Sequence, residues 1–181
     1  MIGEPTNGPT AIAKTPPKAD CQLTTLVADI RCTGQHQGMK LETITANRHV
    51  FEGHANGKPL RLLLTFEGDK ALCLKPDGDG ALMIADNSQL DSPSEMGEYG
   101  QTDIADVTQT LFPALRGLEV TKVNALILDG RRVGVQLNVS SSRPFNFWVD
   151  GDELHWGDAA ALIRHDWLDG MVPNASGAIV V

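Results

Sequence analysis

The chain has 181 residues, 41% of them hydrophobic and 21% charged, which suits one domain or two small ones and excludes disorder throughout. A formal net charge of −8 opposes phosphate backbones and anionic lipid, so neither nucleic acid nor a membrane surface is an expected partner. Three cysteines (Cys21, Cys32 and Cys73), odd in number and without paired spacing, exclude a disulfide framework and a C-x-x-C site.

Residues 1–20 hold four prolines, two glycines and no apolar periodicity, and read as a flexible arm. They lack the charged start and apolar run of a signal peptide, and no segment approaches the length of a membrane helix. The expected setting is therefore the reducing cytoplasm.

Residues 21–181 read as one β-rich domain whose strand pattern begins at about 23. Leu60, Leu62, Leu64 and Phe66 alternate with Arg61, Leu63 and Thr65, after a hairpin turn expected at Asn56-Gly57. Glu67-Gly68-Asp69 and Pro76 to Gly80 turn the chain again, with Leu72 and Leu74 between them and Leu82 and Ile84 after. Cys73 in this run reads as a small buried hydrophobe. Asp86 to Gly100 is a long polar loop or linker.

A helix is expected over Asp103 to Phe112, with Ile104, Val107 and Leu111 on one face and Pro113 at its end. Val123, Ala125 and Ile127 then lead through Asp129-Gly130 into Val133, Val135, Leu137 and Val139. Phe145, Phe147 and Val149 follow, and Asp150-Gly151 turns the chain into Leu154-His155-Trp156. The halves 23–90 and 118–181 thus share one grammar, joined by the polar loop and short helix. An antiparallel meander produces such a likeness without duplication. A second helix is expected from the N-cap Asp158 to Asp169, with Leu162, Ile163 and Trp167 as its apolar stripe and Gly170 beyond it.

The chain ends in an uncharged β-branched run. Ile179, Val180 and Val181 either close the protein's own sheet or add a strand to a neighbour's edge, which makes them candidate partner-binding residues.

One cluster carries chemistry. On a helix starting at Asp158, His165 and Asp169 share its face, with Asp166 nearby and His155 folding back. His155, His165 and Asp158 are the candidate catalytic residues, as an acid–base set or as metal ligands. Solvated charges on a capped surface helix explain the same pattern, so no metal and no cofactor is assigned. Asp77-Gly78-Asp79-Gly80 is a turn, lacking the later ligands of a calcium loop. No nucleophile elbow, Walker loop or G-x-G-x-x-G occurs.

The expected fold is mainly β: an antiparallel meander barrel or sandwich with one or two packed helices. The expected function is a non-enzymatic binding or assembly module, a subunit of a larger complex or particle, with a protein partner or with copies of itself. The alternative is a small-ligand-binding barrel or barrel enzyme. Phe145, Phe147, Trp148 and Trp156 would then line its cavity, with His155 or His165 as the polar group.

Overall fold

Turn chemistry decides where the chain reverses. The computed structural model describes residues 38–86, 90–140, 143–167 and 171–175. The N-terminal arm, the onset of the strand pattern, Asp169, Gly170 and Ile179 to Val181 lie outside these residues.

The first hairpin joins β1 (Met39–Phe51) to β2 (His54–Phe66). Its turn is Glu52-Gly53, both in the left-handed region with φ of 50° and 78°, as a two-residue hairpin loop requires. This corrects the turn expected at Asn56-Gly57. Gly57, at φ 71°, instead serves a bulge within β2. There β2 advances five residues, Arg61 to Asn56, while β1 advances two, Asn47 to His49. The bulge also breaks the alternation at Leu60, which is exposed although Leu62, Leu64 and Phe66 are fully buried.

The meander continues through β3 (Lys70–Pro76) and β4 (Leu82–Asp86). The chain then returns as β5 (Gln101–Asp106), antiparallel to residues 45–50 of β1. A helix was expected here. The open edge of β1 supplies ladder partners to Gln101–Asp106, and Asp106 ends the strand by accepting a 2.8 Å hydrogen bond from the Thr108 amide. A turn and a short 3-10 segment, Pro113–Leu115, follow. Of the three residues assigned to one helical face, Val107 is buried, while Ile104 and Leu111 are exposed.

The second meander runs β6 (Glu119–Leu128), β7 (Arg131–Val139), β8 (Phe145–Asp150) and β9 (Glu153–Gly157). Its Asp129-Gly130 turn is as expected, with φ of 48° and 73°. β1 joins the meanders, pairing with β6 through Met39 and Lys40. The order is β4-β3-β2-β1-β6-β7-β8-β9, with β5 on β1 and the short β10 (Asn174–Ala175) on β6. β4 and β9 end the order unpaired with each other, so the sheet does not close into a barrel. It folds over instead, bringing β2 and β3 against β9 and β4 against β7. The chain is therefore mainly antiparallel β with a packed helix, as its alternation predicts.

One apolar cluster fills the space between. Leu41, Ile44, Leu62, Leu64 and Leu74 meet Val120, Val135, Leu137, Phe147 and Leu154 there, with Phe112 between them. Cys73 is buried as expected.

β8 is buried on both faces: Phe147 and Val149 point into this core, Asn146 and Trp148 away from it. The outer face is roofed by α1 (Ala159–Arg164) and Trp167, and Leu126, Val133, Trp148, Leu162 and Trp167 form a second cluster there. Val133 joins that face because the β6–β7 register slips between Leu126 and Ile127. α1 begins at Asp158, whose side chain accepts from the Ala161 amide at 2.8 Å. It stops at Arg164 and does not reach Asp169, with His165 extended at φ −62°, ψ 139°. Trp167 then turns back and donates its indole N–H to the Leu162 carbonyl at 2.9 Å, satisfying a terminal helix acceptor. Ile163, expected in the apolar stripe, is exposed. No helix among the described residues is long and apolar enough to cross a membrane.

Candidate metal centre

The β8–β9 hairpin sets the site by register. Trp148 pairs opposite His155 and Asp150 opposite Glu153, and alternate residues of a strand share a face. Trp148, Asp150, Glu153 and His155 therefore share the outer face. His165 arrives from the end of α1, where the extended backbone carries its ring down onto the same spot.

The rings meet closely. His155 and His165 have centroids 4.4 Å apart at 64°. Trp148 lies nearly parallel to His155, at 13° with centroids 5.8 Å apart. It meets His165 edge-on at 5.5 Å, and Trp167 meets His165 at 4.8 Å. Each imidazole thus has an indole wall, which fixes its orientation and limits water.

His165 Nε2 stands 3.1 Å from Asp150 Oδ2. One ligand atom from each of Asp150, His155 and His165 lies within 4.8 Å of the others. Side-chain exposures of 14% for His165 and 37% for Asp150 make the cluster recessed but reachable. Ligand atoms on metal bonds of about 2.0–2.1 Å stand about 3.3 Å apart in a tetrahedron. The His165–Asp150 separation already matches, and His155 must close by up to about 1.5 Å, within reach of a χ adjustment. Two imidazoles and one carboxylate are the donor set that zinc and its neighbours take, with coordination positions left open. On its other side Asp150 borders a cleft of about 300 Å³ with Trp167, Val149 and Arg131 in its walls.

Electrostatics favours a ligating imidazole. Burial, then the Lys58 ammonium, then His165 hold His155 below the ordinary histidine range, against the opposing pull of Glu153 and Asp150. Neutral imidazole is the ligating form. Lys58 reaches in from the β2 bulge, 2.8 Å from Glu153 Oε2, and holds the Glu153 carboxyl below its usual value.

Of the residues read from the sequence, His155 and His165 come together, though through the hairpin register and the helix exit, not through a shared helical face. Asp158 is spent as the N-cap, and Asp166 is exposed outside the cluster. The four aromatic residues do not share a surface. Phe145 and Phe147 pack on each other and on Phe112 in the core, Trp156 packs on Phe112, and Trp148 faces the opposite way. Asp150, Lys58, Glu153 and Trp167 were missed. Period-two counting back from the Asp150-Gly151 turn would have placed Asp150 on the face of His155. Nothing local points to Lys58, 97 residues from its histidine. No family model, curated protein or solved structure matches the chain, so the centre stands on its own geometry.

Proposed function

We propose that the protein is a non-enzymatic binding module whose centre takes a divalent transition-metal ion on Asp150, His155 and His165. The observation that carries the reading is the convergence of three ligand atoms from β8, β9 and the exit of α1 within 4.8 Å. Two of the ligands are held by indole rings, so the set is oriented in advance of the ion. Titration with Zn²⁺ by calorimetry tests it. One ion per chain is expected, with a rise in Tm on saturation. His155→Ala and His165→Ala should each weaken binding at least tenfold. Wild-type protein that takes up no ion, or variants that bind as it does, would refute the reading.

A second reading, assembly with a protein partner or with copies of the chain, rests on a different surface. Phe51, Met96 and Tyr99 are 40%, 46% and 67% exposed around the β1–β5 corner, where Gly100 packs its backbone against Phe51. Apolar side chains grouped at a surface favour contact with another surface. Native mass spectrometry of the wild type and of a Phe51→Ser, Tyr99→Ser double variant distinguishes a monomer from an assembly that depends on this corner.

A further inference from the structure

Lys58 brings a cation into direct contact with the cluster. Its Nζ lies 2.9 Å from His155 Nδ1 and 3.0 Å from Nε2, nearly equidistant from both. An ammonium carries only donors, and neutral imidazole has one acceptor nitrogen. Equidistant from both nitrogens, the ammonium stands over the ring face, so an ion bonded to either of them comes within a few ångströms of it. The same ammonium donates to Glu153 Oε2 at 2.8 Å, so it has a second place to stay if His155 is taken.

We infer that Lys58 is a tethered competitor for the metal, resting on His155 when the centre is empty and handed wholly to Glu153 when an ion binds. The inference rests on the metal reading above and adds its regulation. A divalent ion and an ammonium sharing one imidazole repel at a few ångströms, and only a shift of the lysine removes that penalty. The flexible four-carbon stem allows the shift. The competitor also sets which ions succeed: a monovalent cation gains little over the ammonium already present, whereas a divalent ion that bonds nitrogen strongly displaces it. The exchange reaches beyond the centre. Lys58 sits beside Gly57 in the β2 bulge, and its bonds to His155 and Glu153 tie the first meander to the second. Metal uptake leaves only the Glu153 half of that tie.

The test is a Co²⁺ and Zn²⁺ titration of wild type, Lys58→Met, Lys58→Gln and Lys58→Arg, each checked for fold by circular dichroism. The two neutral variants are expected to bind at least about tenfold more tightly than wild type, and Lys58→Arg to bind like it. Glu153→Gln should weaken binding severalfold in wild type and distinctly less in the Lys58→Met background, where only its own field on the ion is lost and no lysine is left to receive. Wild-type binding without gain in either neutral variant overturns the role of Lys58 and leaves the metal reading standing. An equal Glu153→Gln loss in both backgrounds overturns the handover. No binding by any of the four proteins overturns both readings together.

Discussion

The two faces of β8 divide its six residues, three to each, and use them differently. The inward face carries Phe145, Phe147 and Val149 into an apolar core, where Phe147 meets Phe112 and Phe145 ring on ring at 5.5 and 5.3 Å. The outward face carries Asn146, Trp148 and Asp150. Asn146 is fully buried there, accepting from Gln136 Nε2 at 3.1 Å and donating to the Gly157 carbonyl at 3.3 Å. Trp148 and Asp150 face the two histidines. The difference lies in what covers each face. The inner one is closed by the opposite half of a folded sheet, and apolar contact suffices. The outer one is closed by a two-turn helix and one tryptophan, too little to bury the strand on area alone. Polar groups persist there and are paired along a row running from Asn124 through Gln136 to Asn146. Among the described residues Trp148 Nε1 and Asn124 Oδ1 are the buried side-chain atoms without a hydrogen-bond partner.

The contrast is broken most severely from the inside. Phe147→Ala removes a fully buried ring and is expected to cost about 3–5 kcal/mol in a urea titration. The substitution spares the outer face, so any protein that remains folded should keep its metal affinity. Loss of affinity in step with stability would show that the faces are not independent.

Asn146→Ala strikes the outer face. It leaves Gln136 and the Gly157 carbonyl without their partner and should cost about 1–3 kcal/mol. The effect should fall on the β8–β9 hairpin first, seen as faster amide exchange at Gly157 than at Phe147. Uniform acceleration would mean that the amide row does not act locally.

The smallest effect sharpens the comparison at a distance from both faces. Hydrogen bonds from Thr108 hold the Asp106 carboxyl below its ordinary value of 3.8. A folded value below the unfolded one stabilises the fold above the ordinary carboxylate pKa, and the gain is lost as pH falls through the folded value. Asp106→Asn keeps an acceptor and removes the charge. Its Tm should sit slightly below wild type at neutral pH and converge with it as the pH falls below the folded value. A gap that persists in acid would mean that the aspartate acts through geometry, not through its charge.

Legibility followed the range of the interactions. The second-meander hairpin turn at Asp129-Gly130 was readable because two residues carry the whole signal, and the one expected at Asp150-Gly151 falls one residue later, at Gly151-Asp152, with Asp150 still in β8. The Asn56-Gly57 turn misled for the same reason: a positive φ is common to a hairpin turn and a bulge, and only pairing with β1 decides between them. The helix expected over Asp103 to Phe112 failed because Ile104, Val107 and Leu111 fit a helical period, while the strand alternative needed a partner edge over fifty residues away. For the site, two histidines ten residues apart were singled out, but Asp150 was not.

The sequence by itself determined the β class, most of the turns, the N-cap at Asp158, the inward residues of β8 and those of β7 beyond Val133, because alternation and capping are properties of neighbours along the chain. Only the tertiary structure decided that the sheet folds over without closing and that Trp148 and Phe147 serve different clusters. It alone set Lys58 against His155. Those outcomes depend on which surfaces bury one another across the chain, and burial is settled by the whole fold at once.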